Sequence, residues 1–379
     1  MKTAKKIKVL QDVIQIKSIN GNEAKVADYL ANILNEYGIA SERIRYAEGR
    51  DNLVATLSQG DSQTVLGFTG HMDVVDVGDE SEWVHAPFAA EIVDGKMYGR
   101  GTTDMKSGLV AMVLAMIELK ENNVPFNGTI KLLATVGEEV GELGAEQLTK
   151  LGYADDLSAL LIGEPTNYNL MYAHMGSINY SVISYGKEAH SSMPEQGFNA
   201  INHLNEFITM ANEELHKVAT DHVNEELGRT IHNVTVINGG NQVNSIPSRA
   251  VLQGNIRSIP EFSNEQVIAL LENIIQQLNE NSPYHLELVI DFNKIPVQAE
   301  KNSELIQSIQ QQFETPLPLV TAAGTTDAAE FTKSKNQFDI VVFGPGEATL
   351  PHQVNEFVEI DNYLDMIDKY QAIAKTYLQ

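Results

Sequence analysis

The sequence contains no cysteine and one tryptophan, and its 26 lysines and arginines are outnumbered by 51 aspartates and glutamates. Each shortage excludes something. Without cysteine there are neither disulfides nor thiolate metal ligands, so any metal must rest on histidine and carboxylate. A formal charge of -25 repels phosphate backbones and anionic lipid headgroups alike, which argues against nucleic acid and membrane partners. Nowhere do about 18 apolar residues follow one another without interruption. The basic opening MKTAKKIKVLQDVIQIKS lacks the central apolar segment of a signal peptide. There is no internal repeat, low-complexity tract or Pro/Ser-rich linker. The expectation is a soluble, cytoplasmic protein.

What is present is an ordinary globular balance, 43% hydrophobic and 20% charged, over a length of 379 residues that suits two domains better than one. Part of the negative charge is what a carboxylate metal site contributes when its ions are left out of the sum. Residues 22–37 place Val26, Leu30, Ile33 and Leu34 at helical spacing, with Asn22 as cap and Gly38 beyond the end. Short apolar runs at 52–57, 64–69, 129–136, 159–162 and 338–343 alternate with helical patterns such as 107–120 and 359–377. Buried strands alternating with helices predict an α/β domain with a mostly parallel sheet.

The middle of the chain has another rhythm. Strand 179–185, helix 198–217, strands 231–237 and 249–256, helix 263–279 and strand 284–291 follow the ferredoxin-like order β-α-β-β-α-β. The expected organisation is a catalytic domain of residues 1–176 and 293–379, with residues 177–292 inserted as a lid or dimerisation domain.

In an open α/β sheet, ligands bind beyond the carboxyl ends of the strands, and acidic and histidine residues gather there. His71 closes one apolar run; Glu138-Glu139 follow TIKLLATV-Gly; Glu164 follows ALLI-Gly; His352 lies beyond FDIVVF. Asp104 comes from the glycine-bearing turn Gly99 to Gly108, which can present a carboxylate to several groups at close range. Its two oxygens make it the expected bridge between two metals. Two histidines and three carboxylates suit paired zinc, with cobalt or manganese as substitutes. Taken singly each residue has a plainer reading: His71 or His352 as an ordinary histidine, Asp104 as a helix cap, Glu138-Glu139 as a solvated helix start, Glu164-Pro165 as a turn.

The segments Gly70-His71-Met72-Asp73-Val74-Val75, Trp83 with Pro87-Phe88, Gly99 to Gly108, Glu138-Glu139 and Gly163-Glu164-Pro165-Thr166 resemble a known family. So do Glu188 to Ser192, Gly239-Gly240 with Asn244 to Pro247, Asn255-Ile256-Arg257, Gly324 to Asp327, and Gly344-Pro345 with His352. In that order, over nearly the whole chain, they resemble the two-zinc deacylase and metallopeptidase family of succinyl-diaminopimelate desuccinylase, acetylornithine deacetylase and aminoacylase.

The resemblance implies two zinc ions per subunit, roughly 3.5 Å apart, one held by His71 and Glu164, the other by Glu139 and His352, with Asp104 between them. It assigns catalytic roles to Glu138 as proton shuttle, to Asp73 as the group that orients His71, and to His190, delivered across a homodimer interface to a developing oxyanion. Asn244, Arg257, Gly324 and Thr325 fall where relatives contact the substrate. A loop histidine beside Ser191 and Ser192 also reads as a surface residue, and Arg257 as a solvated strand-end charge. The implied reaction is hydrolysis of an N-acyl amino acid, N-succinyl-diaminopimelate first. Acetylornithine deacetylase, aminoacylase and metallo-dipeptidase activities are the alternatives, and a non-catalytic oligomeric binding protein is the alternative of another class. Desuccinylases often carry a basic residue just before the glycine that opens the insert, where this chain has His174-Met175-Gly176.

Overall fold

The short apolar runs become strands of one twisted sheet. The computed structural model describes every residue except 281, 282 and 284. Its chain divides into a first unit of Met1–Tyr172, Ala299–Val320 and Thr326–Gln379, and a second of Ala173–Gln298 with Thr321–Thr325.

In the first unit the strand order is Ala40–Ala47, Arg50–Gln59, Gly128–Thr135, Val65–His71, Ala159–Ile162, Asp339–Val342 and Leu170–His174, the last of which leads into the second unit. The central strands Gly128–Thr135, Val65–His71, Ala159–Ile162 and Asp339–Val342 are parallel to one another, and antiparallel strands flank them. Burial on both faces explains their unbroken apolar character: every residue of Val65–His71 and Ala159–Ile162 is buried. From Gly108 to Ile117 helix Lys106–Glu121 is apolar on every face, and its residues from Lys106 to Leu119 are buried. The protein is therefore α/β with a sheet that is parallel through its centre.

Several details depart from the sequence expectation, among them the strand Leu170–His174 and the return of Thr321–Thr325 to the second unit. The helix expected over 22–37 spans Ala24–Glu36, because Asn22 sits in the left-handed region at φ 61° and the Glu23 carboxylate is held by Arg50 instead of capping. Strand Ala40–Ala47 went unseen because it lies exposed on the sheet edge and carries little apolar pattern.

The second unit pairs Ile231–Gly239, Arg249–Ser258, Gly176–Tyr185 and His285–Lys294, in that order and all antiparallel. With helices Ala200–Asp221 and Asn264–Glu280 this gives the ferredoxin-like arrangement. The expected strand 284–291 corresponds to His285–Lys294; its first residue, 284, lies outside the described residues. Ile178, Tyr180 and Val182 alternate into a core shared with Leu204, Phe207, Leu252 and Leu271. Edge strand Ile231–Gly239 leaves Ile231, Val236 and Ile237 exposed. No helix among the described residues is long and apolar enough to cross a membrane.

Candidate metal centre

Parallel pairing brings the carboxyl ends of the central strands to one edge of the first unit's sheet, and the acidic and histidine residues lie on that edge. His71 ends its strand in register with Thr135, the last residue of the neighbouring strand, and Glu138 and Glu139 follow just beyond. Glu164 follows Ala159–Ile162, and His352 lies in the loop after Asp339–Val342. Asp104 enters from the turn before helix Lys106–Glu121, through a cis peptide to Met105.

Two glycines allow this crowding. A Cβ on Gly108 would lie 1.9 Å from the Gly163 carbonyl oxygen, so only glycine lets the helix rest against the segment that carries Glu164. Gly137, at φ 63°, turns the chain into Glu138, and a Cβ there would meet the Arg50 guanidinium at 2.6 Å.

The side chains converge in two groups around one carboxylate. Asp104 places Oδ1 3.0 Å from His71 Nε2 and Oδ2 3.4 Å from His352 Nε2. On the first side Glu164 Oε1 is 3.5 Å from His71 Nε2; on the second, Glu139 Oε2 is 3.0 Å from His352 Nε2. Ligand atoms of His71, Asp104 and Glu139 all lie within 4.8 Å of one another. Tetrahedral ligands bound at about 2.1 Å stand roughly 3.4 Å apart, so these separations are those of atoms arranged to share a cation. The donor set of imidazole nitrogen and carboxylate oxygen fits zinc, cobalt or manganese.

The electrostatics point the same way. Burial pushes the Glu164 carboxyl well above the usual range, and Asp104, Glu139 and Asp327 add to the shift against His71. Glu138 is raised for the same reasons, first by burial and then by Glu164, Asp327 and Glu139. Burial also opposes ionisation of Asp104, but hydrogen bonds from His352 and His71 outweigh it and hold that carboxyl well below its ordinary value. Hydrogen bonds to Asp104 and Glu139 raise His352 to about 10. Burial would lower His71, yet Glu164, Asp104 and Asp73 raise it. Carboxylates this crowded stay ionised together only with positive charge among them, which divalent ions would supply.

Asp73 is used in two ways. His71 Nδ1–H donates to the Asp73 main-chain carbonyl at 2.9 Å, which turns Nε2 toward the cluster. The Asp73 carboxylate, 3.6 Å from His71 Nδ1, accepts the main-chain N–H groups of both Glu138 and Glu139 at 3.2 Å each. It thus fixes the turn that carries the two glutamates.

The remaining sequence candidates belong to the second unit. His190 is exposed on the short strand Ala189–His190, paired with Ser245–Ile246, and Ser191 N–H donates to the Asn244 carbonyl, so His190 and Asn244 are neighbours. Its Nδ1 accepts the Ser192 N–H at 3.2 Å. Arg257, half-buried on Arg249–Ser258, pairs in register with Ser177 and Ile231. Gly324 is exposed and Thr325 half-buried in the short return segment.

Sequence reasoning missed several residues behind the candidate ligands. Glu356 and Arg100 lie behind Asp104 and are fully buried, and Thr135 Oγ donates to Asp327 Oδ2 at 2.6 Å. Lys106 is also buried, donating to the Val13 and Ile16 carbonyls; burial lowers it to about 7 against the pull of Asp73, Glu356 and Glu23. Arg100 belongs to the glycine turn and was visible there as part of a motif. Nothing in the spacing singled out Glu356.

A family model described as peptidase family M20/M25/M40 matches residues 67–376. A Staphylococcus epidermidis protein named probable succinyl-diaminopimelate desuccinylase is 40% identical, covering 99% of this chain and 98% of its own. A Wolbachia pipientis succinyl-diaminopimelate desuccinylase is 28% identical over 98% of this chain and 92% of its own. Among solved structures, an M20 family metallo-carboxypeptidase from Sulfolobus solfataricus superposes with a TM-score of 0.81 at 21% identity, covering 100% of this chain and 99% of that one.

Proposed function

The chain belongs to peptidase family M20/M25/M40, and from that premise we propose that it is a two-metal deacylase that cleaves the amide bond of an N-acyl amino acid, N-succinyl-diaminopimelate foremost. That it hydrolyses amide bonds with the help of metal follows from the family. The observation that carries the finer reading is Asp104, whose two oxygens face separate histidine–carboxylate pairs. In this reading His71 and Glu164 would hold one zinc and Glu139 and His352 the other, with Asp104 within reach of both. When bound, such a pair would polarise a carbonyl and acidify a water.

The chain's own groups do the rest. Glu138, whose carboxyl is shifted toward its protonated form by burial and the neighbouring carboxylates, takes a proton from the attacking water and delivers it to the departing amine nitrogen as the C–N bond breaks. The products are a free amine and a carboxylate. Because His190 Nδ1 accepts a main-chain N–H, its neutral ring carries the proton on Nε2, as a donor to an oxyanion must. We assign it that role across a homodimer interface built by the second unit, whose edge strand exposes Ile231, Val236 and Ile237. Asn244, Arg257, Gly324 and Thr325 are assigned to the substrate's carboxylate and amide, and the protein to the cytoplasm.

The names of the relatives favour the succinyl group. One observation favours a smaller acyl group: His174 is buried, and burial lowers it to about 4, so it offers no cation to a succinyl carboxylate. Purified protein loaded with zinc or cobalt and assayed against N-succinyl-diaminopimelate, N-acetylornithine, simple N-acyl amino acids and dipeptides decides. The proposal expects the highest kcat/KM on the succinyl substrate. Faster turnover of acetylornithine or dipeptides overturns the substrate, and no cleavage of any amide leaves the non-catalytic scaffold.

A further inference from the structure

We propose that the buried Arg100–Glu356 pair is a positioning device for the metal centre, with Glu356 setting the shared carboxylate Asp104 and Arg100 setting the loop that carries His352. The inference rests on the two-metal reading above. Arg100 Nη1 and Glu356 Oε2 are 2.7 Å apart, and the residues are 2% and 0% exposed. Each partner reaches a different ligand. Glu356 Oε1 accepts the main-chain N–H of Thr103 at 2.8 Å and of Asp104 at 3.0 Å, fixing the turn of the bridging carboxylate. Arg100 donates to the carbonyls of Gln353 at 3.1 Å and His352 at 3.3 Å. One ion pair therefore ties together two ligand-bearing segments that are remote in sequence.

The His352 loop needs such a hold. His352 itself sits at φ 65° and Asn355 at φ 59°, a region that non-glycine residues seldom occupy without support. Arg100 grips the loop at the His352 carbonyl, and its guanidinium packs over the Trp83 ring at 5.2 Å. Arg100 also donates to the Asp76 carbonyl at 3.3 Å, on the segment that follows His71, while neither His71 nor Glu164 is itself a hydrogen-bond partner of the pair. Stability alone is a poor reason for the pair, since buried ion pairs are often replaced by apolar side chains at no cost. What an apolar pair could not reproduce is the simultaneous grip on the Asp104 N–H and the His352 carbonyl.

The test is a competition titration of metal-free protein with zinc against a chromophoric chelator, with thermal melting of the metal-free form alongside. Wild type should bind two equivalents. Glu356→Gln, which loosens the Asp104 shared by both ions, should weaken both equivalents by roughly 10–100-fold, and Arg100→Lys, which loosens chiefly the His352 loop, should weaken one by that factor and the other less. The double variant Arg100→Met/Glu356→Leu should melt near wild type yet lose affinity at both equivalents. In a His352→Ala background, Glu356→Gln should still weaken the equivalent that remains, through Asp104. Unchanged affinities, equal weakening of both equivalents by Arg100→Lys, recovery of affinity together with melting temperature in the apolar double variant, or failure of all the variants to fold overturns the inference and leaves the pair merely structural. A wild type that binds a single equivalent sinks the two-metal reading, and this inference with it.

Discussion

Glu138 and Glu139 share a turn but not a surrounding. Glu139 points its oxygens at His352, whereas Glu138 is pushed toward its protonated form by burial and by the carboxylates of Glu164, Asp327 and Glu139. Replacing Glu138 with glutamine keeps its shape and removes only its proton chemistry, so kcat should drop by about 10²–10⁴-fold with zinc content unchanged by elemental analysis; persistent turnover would assign the proton transfer elsewhere. His174 gives a second test at this scale. Its ring donates to the Met175 carbonyl through Nδ1, while Nε2 is buried without a hydrogen-bond partner among the described residues. Its folded pKa of about 4 lies below the unfolded value of about 6.5. The unfolded chain therefore binds more protons between those values, and stability present above pH 6.5 is lost as pH falls toward 4, by up to about 3 kcal/mol. Denaturant midpoints between pH 4 and 7 should fall less steeply in His174→Leu than in wild type, and identical slopes would refute the argument.

Among the elements, helix Lys106–Glu121 is held at its position by a glycine. With the Gly163 carbonyl 1.9 Å from where a Cβ would be, Gly108→Ala must move the helix or the segment that bears Glu164. The expected cost is about 1–3 kcal/mol of stability, as in other overpacked cores, together with weakened metal binding, read by melting and by zinc titration. Unchanged melting would mean that the close approach is easily relieved. This element also illustrates what the sequence disclosed. Its helical pattern and the apolar runs beside it were legible because burial on all sides leaves mostly apolar choices. Four of the five candidate ligands were legible because they close or follow such a run, and Asp104 because it sits in a glycine-bearing turn. Edge strand Ala40–Ala47 was not, since an exposed edge imposes no pattern, and neither was Glu356, whose partners come from residues remote in sequence. Asp73 was seen as a partner of His71, but its grip on the Glu138 and Glu139 N–H groups depends on how neighbouring strands end side by side.

At the scale of the molecule, the ferredoxin-like order of the second unit could be read from the succession of periods, because six elements in a fixed order leave few topologies. The acidic surplus is less simple, for part of it is gathered at one edge of the first unit, where Asp104, Glu138, Glu139 and Glu164 stand together. Such a cluster ties stability to metal. At free zinc about 100 times the dissociation constant, each site adds about 2.7 kcal/mol to the folded state, and in a unit of this size each kcal/mol is worth about 2–4 °C of melting temperature. Stripping metal with a chelator should lower the melting temperature accordingly, and hydrogen exchange should locate the loss in residues 71–75, 102–108, 136–143 and 163–166, not in the strands of the second unit. The sign with pH is fixed by the imidazoles. Their carboxylate neighbours favour the protonated form, with His352 near 10, so metal must displace protons to bind. The melting shift on chelation should therefore be larger at pH 8 than at pH 6, and a shift that grows on acidification would contradict ligation through His71 and His352.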